Sequence, residues 1–318
     1  MNRFSRRTFL RTASVAALSP SISRLLFSES GRFQQNSKPH ITFSAVPRER
    51  ISVSSYPFRE FIAGREDPKP AAGKIPIKDF AAHVLAKFNI RKIEPWSEHF
   101  LSLQPAYLDE IRNAATKAGS GFANVAADGE ASFYSPDEPE RQRAIQFGKT
   151  WIDVAARLGS PSVRLNIAVA RNAKPDVAVV AQSLKSIADY AASKNVAAHL
   201  ENDNPVSEDP FFLVSLVDRI GSPWIHTLPD FGNSLAALPP EQAYRGLDEM
   251  FARAYAISHV KDTTTTNANV VVQVDMPRIF ALAKKHYFDG VFSMEWETTG
   301  DVYAGTASLI ATTLNNIS

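Results

Sequence analysis

The sequence predicts an α/β fold, because short apolar runs and longer amphipathic stretches alternate along it from residue 51 onward. The apolar runs have the length of buried strands, and the stretches between them have the periodicity of helices that pack on one side. Eight runs and eight stretches follow one another, which favours a parallel sheet closed on itself. The length of 318 residues suits one such unit. We therefore predict a single (β/α)8 TIM barrel.

The predicted strands span residues 51–58, 90–96, 121–128, 162–169, 196–203, 224–231, 256–262 and 290–297. The predicted helices span residues 77–88, 107–119, 139–159, 176–194, 210–221, 240–255, 276–287 and 302–317. In the first helix Phe80 and Val84 recur with helical spacing on one face. Gly119 and Gly159 close the second and third helices, where glycine is typical because it enters the left-handed conformation without strain.

Composition and missing motifs exclude several classes of function. No Gly-rich dinucleotide turn, phosphate-binding loop or nucleophile elbow occurs in the sequence. The formal net charge is only +2, so a polyanionic partner such as nucleic acid is not indicated. The chain has no cysteine, which excludes disulfides, thiolate metal sites and a cysteine nucleophile. Oxygen and imidazole ligands remain for a metal, and they favour Mn, Mg, Co or Zn.

The N-terminal segment differs from the rest of the chain. In "SRRTFLRTASVAAL" the pair Arg6-Arg7 precedes a short, weakly apolar run, as in a twin-arginine export signal. The alternative is a basic, disordered tail. The run is too short to span a bilayer, so we expect no stable membrane insertion after export. We predict an export signal and linker at 1–45, a barrel at 46–318, and a periplasmic or secreted protein.

Polar side chains stand at the ends of the last four predicted strands, at the edge where such barrels carry their chemistry. Successive members are about one strand–helix unit apart, and they are Glu201, Asp230, His259 and Glu295. Glu295 lies in "GVFSMEWET", an otherwise apolar segment where an unpartnered carboxylate would cost several kcal/mol. A divalent cation bound by all four would neutralise it. The alternative for each residue is a hydrogen bond to a neighbouring loop.

Four short motifs carry a resemblance to a known family: "HLEN" at 199–202, "PDFGN" at 229–233, "HVKD" at 259–262 and "MEWE" at 294–297. Over about residues 50 to 316 the chain resembles the xylose-isomerase-like barrels, often labelled sugar phosphate isomerases/epimerases. The resemblance implies one divalent metal ion held by Glu201, Asp230, His259 and Glu295. It also implies that Glu201 and Glu295 act as acid/base catalysts, which transfer a proton through an enediolate.

The chain departs from that family's pattern around the substrate. Asn233 stands where the ketose epimerases have a histidine, and threonines follow His259 where they have an arginine. The stretch "NVVVQVD" replaces a Gly-x-Gly turn that many relatives have before the last helix. These differences concern substrate recognition, so the resemblance leaves the specific substrate open.

Two basic residues are candidates for substrate binding. Arg164 interrupts the apolar fourth strand, where it could bind substrate hydroxyls, order Glu201, or only form an ion pair with a neighbouring strand's carboxylate. Lys261 could neutralise negative charge that develops on the substrate, form a salt bridge to Asp262, or be a surface lysine at the strand end.

Further substrate-binding candidates are Asn233 and two residues that we expect at the barrel mouth after the second strand, Glu94 and Trp96. Trp96 could stack on a sugar face or only pack a loop. His199 and His226 precede ligand candidates on the same strands, and we expect them to be core histidines rather than ligands.

These observations predict an exported, divalent-metal-dependent carbohydrate isomerase or epimerase. The alternative is a metal-dependent lyase or hydratase-like enzyme on keto-sugars or keto-glycosides, because proton abstraction followed by loss of a leaving group is elimination. A multi-zinc nuclease would need more histidines and a basic face, and a binding protein would not need two acid/base carboxylates. The expected partner is a small-molecule carbohydrate, and a homo-oligomer is left open.

Overall fold

The computed structural model describes residues 38–65, 67, 73–266 and 268–318, without the side chain of residue 204. The predicted twin-arginine segment lies outside this part of the chain. Across the described ranges, no helix combines the length and the apolar character that crossing a bilayer requires.

The barrel is built from short parallel strands whose order around the sheet follows the order along the chain. They are β1 (Ile51–Ser54), β2 (Lys92–Glu94), β3 (Gly121–Phe122), β4 (Ala126–Ala127), β5 (Ser162–Leu165), β6 (Ala197–Glu201), β7 (Ile225–Leu228), β8 (Ile257–Val260) and β11 (Val291–Met294). A separate antiparallel hairpin consists of β9 (Thr263–Thr265) and β10 (Val271–Gln273).

Hydrogen bonds at two seams close the sheet. One part has the order β3-β2-β1-β11-β8 and the other has the order β4-β5-β6-β7. A parallel bridge between Trp96 and Ala126 joins them on one side, and a bridge between Asp230 and His259 joins them on the other. The closed parallel sheet confirms the predicted TIM barrel.

Helices surround the sheet. They are α1 (Ile77–Phe88), α2 (Pro105–Lys117), α3 (Glu138–Leu158), α4 (Val177–Lys194), α5 (Asn204–Ser207), α6 (Pro210–Ile220), α7 (Asn233–Ala237), α8 (Pro240–Phe251), α9 (Met276–Lys285) and α10 (Val302–Ile317). The eight predicted helices are all present, and α5 and α7 are additional short turns. Gly159 ends α3 at φ +77°, and Gly119 follows the end of α2 at φ +67°, which confirms both predicted stops.

The core lies between the strands and the helices, and the upper interior of the barrel is polar. Along β6, Ala198 and Leu200 belong to the apolar layer, whereas His199 and Glu201 make polar contacts inside the barrel. This is the two-residue alternation of a strand. Large apolar side chains such as Trp151 are fully buried between helices and sheet, and each contributes roughly 1.5–3 kcal/mol. The polar residues inside the barrel are therefore enclosed by a buried apolar layer between the sheet and the helices.

Two features depart from strict strand–helix alternation. The third predicted strand is interrupted at 123–125, because its backbone changes partner from Ile93 of β2 to Ser162 of β5. The stretch after β8, between the strand predicted at 256–262 and the helix predicted at 276–287, had no predicted secondary structure. Its β-branched residues pair as the β9–β10 hairpin, with Thr265 opposite Val271.

The described end of the predicted linker lies against the barrel. The hydroxyl of Tyr255 donates to the carbonyl oxygen of Pro39 at 2.9 Å, and Phe43 packs edge-on against the Tyr255 ring. The backbone N–H of His40 donates to Asn195 Oδ1 at 3.0 Å, at the end of α4. Residues 39–43 are thus attached to the barrel, and the boundary at residue 45 stays a prediction.

Candidate metal centre and active site

The four predicted ligands meet inside the barrel. Glu201 is the last residue of β6, Asp230 follows β7, His259 lies in β8, and Glu295 follows β11. One ligand atom of each lies within 4.8 Å of the ligand atoms of the other three, and all four residues are buried. They converge because parallel strands end at the same rim of the barrel.

His259 stands at the centre of this cluster. Its Nδ1 lies 2.8 Å from Glu201 Oε1 and 3.1 Å from Glu295 Oε2. On the other side of the ring, Nε2 lies 3.0 Å from both oxygens of Glu94. Burial disfavours the imidazolium, but the carboxylates of Glu201, Glu295 and Glu94 outweigh burial and hold the pKa of His259 well above its usual value.

Asp230 has one satisfied and one unsatisfied carboxylate oxygen. Its Oδ1 accepts hydrogen bonds from the backbone N–H groups of Gly232 at 2.8 Å and Asn233 at 2.7 Å. Its Oδ2 is buried and accepts no hydrogen bond within the described chain, and Lys261 Nζ lies 3.5 Å away. Burial raises the pKa of Asp230 to about 7. The lack of a hydrogen bond to Oδ2 indicates a partner other than a hydrogen-bond donor, such as a metal ion.

A divalent cation fits this set of donors. Three carboxylates and one imidazole form a hard, mostly oxygen site of the kind that Mg²⁺ and Mn²⁺ prefer. Asp230 Oδ2 is buried without a hydrogen bond to any described residue, and Glu201 Oε2 faces only the guanidinium of Arg164. A cation would satisfy buried negative charge that is costly when left unpaired.

Arg164 lies deep in the site. Its Nε is 2.8 Å from Glu201 Oε2, and its guanidinium also pairs with Asp128. The side chain is almost fully buried. Arg164 therefore has two of the predicted roles. It forms an ion pair with a carboxylate of the neighbouring strand, and through this ion pair it orders Glu201. Burial raises the pKa of Glu201, and the positive charges of His259 and Arg164 oppose this rise.

Lys261 is a second buried cation at the rim. Its Nζ pairs with Glu297, lies 3.3 Å from Glu295 Oε2, and donates to Asn233 Oδ1 at 3.0 Å. Burial disfavours its charge, yet the carboxylates of Asp230, Glu295 and Glu297 hold the pKa of Lys261 well above its usual value. The alternative of an ion pair with Asp262 is wrong, because these carboxylates take its place.

Glu94 has a different place from the predicted one at the barrel mouth. It is fully buried behind His259, and its Oε1 accepts a hydrogen bond from Asn124 Nδ2 at 2.6 Å. The interruption of the third strand supplies Asn124. Glu94 therefore contacts the imidazole of His259 and does not line the cavity above the ligands.

Trp96 and Asn233 lie beside the ligands. The indole N–H of Trp96 donates to Asp128 Oδ2 at 2.6 Å, and the ring packs edge-on against Tyr56. Asn233 Nδ2 lies 3.4 Å from Glu201 Oε1, opposite its contact with Lys261. Asn233 lines the cavity above the ligands, whereas Trp96 lines a neighbouring cavity that shares Asp128 with it.

His199 and His226 lie beneath the ligand cluster. His199 Nε2 accepts the backbone N–H of Ala256 at 3.3 Å, and His226 stacks on Tyr255 with ring centroids 4.8 Å apart. Burial lowers the pKa of both imidazoles, for His226 to about 4. They have the environment of neutral core histidines.

A cavity of about 100 Å³ opens directly above the ligands. Its walls include Tyr56 and the two buried cations, and they also include Asp128 and Asp203, which the sequence analysis missed. A signal was present, since Asp128 ends the third predicted strand and Asp203 the fifth. The ligand pattern of the last four strands includes neither position.

Known structures share this architecture. A xylose isomerase-like TIM barrel protein from Mycobacterium smegmatis, in complex with magnesium, is 17% identical with a TM-score of 0.64, over 87% of this chain and 98% of its own. D-allulose 3-epimerase from Methylomonas sp. is 14% identical with a TM-score of 0.65, over 87% and 100%. A xylose isomerase domain protein from Planctomyces limnophilus is 14% identical with a TM-score of 0.60, over 84% and 95%. At these identities the likeness concerns the fold.

Sequence comparison gives the family itself. Among curated proteins, no sequence matches the chain. Residues 82–313 match the sequence model of the family described as xylose isomerase-like TIM barrel. Because that match covers most of the chain, the protein belongs to the xylose isomerase-like TIM barrel family.

Proposed function

We propose that the protein is a divalent-metal-dependent isomerase or epimerase of a small-molecule carbohydrate. The observation that carries the proposal is the meeting of Glu201 and Glu295, from different strands, on the same nitrogen of His259. Both carboxylates line the small cavity above the ligands. The epimerase from Methylomonas sp. has been crystallised with D-allulose, which supports a sugar as the type of substrate.

Four residues would hold the metal: Glu201, Asp230, His259 and Glu295. When bound, a divalent cation supplies Lewis-acid polarisation of the substrate's carbonyl and hydroxyl oxygens. The ion would be Mn, Mg, Co or Zn, as the oxygen and imidazole donors indicate. Glu94 holds the far side of the imidazole, so that Nδ1 faces the other ligands.

The two glutamates are suited to act as a proton-transfer pair. Each has its own buried cation, because Arg164 Nε lies 2.8 Å from Glu201 and Lys261 Nζ lies 3.3 Å from Glu295. One carboxylate removes a proton from the carbon beside the carbonyl, and the other returns a proton to the neighbouring atom or the opposite face. Separate neighbours let two carboxylates in one site take different roles.

Lys261 and Arg164 have a second task in this proposal. Both side chains line the cavity, together with Asn233 and Tyr56. Removal of a carbon-bound proton places negative charge on the substrate oxygen, and preorganised cations stabilise such charge. These groups also offer hydrogen bonds that orient sugar hydroxyls.

Solvent exchange tests this proposal. Protein loaded with Mn²⁺ should transfer deuterium from D₂O into a carbon-bound position of one sugar in a panel of ketoses and aldoses, followed by mass spectrometry or NMR. An isomeric sugar as product supports isomerisation or epimerisation. Release of an unsaturated sugar and an aglycone would assign the elimination reaction instead. A panel without any exchange, at full metal occupancy, would contradict proton transfer at this site.

The proposal includes export to the periplasm or beyond, with the signal and linker ending near residue 45. It is supported by the Arg6-Arg7 motif in the sequence. Replacing both arginines with lysine should retain the full-length protein in the cytoplasm, as cell fractionation and immunoblotting would show. Normal periplasmic amounts of that variant would remove the twin-arginine assignment.

A further inference from the structure

We infer that the substrate carries a second ring or an aglycone beyond the sugar at the ligand cluster, bound on the face of Trp296 in a neighbouring cleft. The inference rests on the proposed function and names its substrate class. It also indicates an uncharged glycoside rather than a sugar phosphate.

The space at the site consists of two adjoining parts, which together are larger than one free sugar needs. The cavity over the carboxylates has a volume of about 100 Å³, and an adjoining cleft has about 600 Å³. Asn233 and Glu297 line both, so the two spaces meet at these residues. The cleft lies in the size range of pockets that enclose drug-sized ligands. A monosaccharide at the carboxylates would leave most of it unused.

Trp296 provides an aromatic wall in this cleft. It directly follows the ligand candidate Glu295, so the same strand end positions the indole and the carboxylate. The ring is only partly buried and lines the cleft beside Phe61. Aromatic side chains that combine an apolar face with a polar tip are suited to the apolar faces of sugar rings.

Two glycines make room for the indole. A Cβ atom at Gly305, inside α10, would lie 2.2 Å from Cε2 and 2.4 Å from Nε1 of Trp296. A Cβ atom at Gly300 would lie 3.5 Å from Cη2 of the ring. Glycine within a helix is destabilising relative to alanine. Glycine at position 305 therefore destabilises the helix locally, but it lets the indole of Trp296 pack against α10 at the wall of the cleft.

The charges of the cleft disfavour a phosphate. Among the described lining residues, Arg59 is the single lysine or arginine, whereas Glu60, Glu208 and Glu297 are acidic. Glu297 is paired with Lys261, so a phosphate in the cleft would meet the carboxylates of Glu60 and Glu208 against one guanidinium. Thr263 and Thr264 of the hairpin add hydroxyl groups. Carboxylates, hydroxyls and one guanidinium beside an indole suit the hydroxyls and apolar faces of a neutral sugar.

The test measures equilibrium binding to the full-length, Mn²⁺-loaded protein by calorimetry. The probes are D-fructose, its 6-phosphate and the glucosyl-fructoses linked through O3, O4, O5 and O6, with D-glucose and cellobiose as a second pair. We expect at least one disaccharide to bind about tenfold or more tightly than its monosaccharide, a difference of about 1.4 kcal/mol. We expect fructose 6-phosphate to bind no more tightly than fructose.

Variants tie that preference to the indole. Trp296→Ala should remove the disaccharide advantage and leave the affinity for the monosaccharide unchanged, whereas Trp296→Phe should keep part of it. Gly305→Ala keeps the tryptophan but displaces it, and should also reduce the advantage. Metal titration and thermal melting of each variant control for folding.

Three results would overturn the inference: no disaccharide advantage at any linkage, tighter binding of the phosphate, or an equal loss of monosaccharide and disaccharide affinity in Trp296→Ala. Deuterium exchange distinguishes this failure from failure of the proposed function. Deuterium exchange without tighter binding of any disaccharide would contradict the second subsite but not the proposed proton transfer. A disaccharide preference without exchange removes the proton-transfer proposal alone.

Discussion

Both carboxylate oxygens of Glu94 lie 3.0 Å from Nε2 of His259, and the opposite nitrogen of the same ring faces Glu201 and Glu295. All four side chains are almost completely buried. A carboxylate behind a ligating histidine fixes the orientation and tautomer of the ring and raises its basicity. In the proposed metal centre, Glu94 would therefore be a positioning residue.

Glu94→Gln should weaken metal binding while the protein remains folded. Glutamine keeps the shape and one acceptor for the imidazole, but it removes the negative charge. We expect the Kd for Mn²⁺ to rise by about 10–100-fold, measured by calorimetric titration. Glu110→Gln on the exposed surface of α2 is the matched control and should leave the Kd unchanged. An unchanged Kd in Glu94→Gln would mean that Glu94 serves packing alone.

Removal of a ligand should remove the metal. We expect purified protein to hold about one divalent ion per chain, and Asp230→Asn and His259→Ala to lose most of it, as elemental analysis would show. Chelation should lower the Tm of the wild type, because a ligand that binds the folded state stabilises it. Full occupancy in both variants would contradict the assigned ligand set.

Asp230 should make the stability of the metal-free protein depend on pH. Burial raises its pKa from 3.8 to about 7, so the folded state retains a proton that the unfolded state releases. The contribution of this group is present below pH 4 and is lost as the pH rises towards 7. At 1.36 kcal/mol per pKa unit, the loss is up to about 4 kcal/mol.

Asp230→Asn is neutral at every pH and avoids this loss. Without metal, the variant should therefore be more stable than the wild type at pH 8, and the difference should shrink towards pH 4, as urea unfolding at several pH values would show. With Mn²⁺ present the order should reverse, because the variant loses a ligand. A stability difference independent of pH would contradict the raised pKa.

Glu201→Gln and Glu295→Gln should each slow solvent exchange into the substrate. Loss of an acid or base typically costs about 10²–10⁴ in rate. The rates have to be compared at saturating metal, since each variant also loses a ligand charge. Glu249→Gln, on the exposed side of α8, is a control that should exchange at the wild-type rate. Full exchange in Glu295→Gln would leave Glu295 with a ligand's role only.

Local patterns determined the strands, the helices and the candidate ligand set. Periodicity records which side of a segment is buried, and parallel strands of a barrel end at one rim. One ligand-type residue at the end of each of four successive strands was therefore sufficient to predict that Glu201, Asp230, His259 and Glu295 lie together. Their roles as ligands and catalysts remain predictions.

Only the tertiary structure showed which charged side chains contact the candidate ligands. Glu94 and His259 are 165 positions apart, and no local pattern relates them. The same is true of Lys261 and Glu297, which meet because β8 and β11 are neighbours. The hairpin after β8 depends likewise on pairing between segments that are each too short to show a strand signal. Such contacts depend on the radius and register of the closed sheet, which arise only when all eight units have assembled.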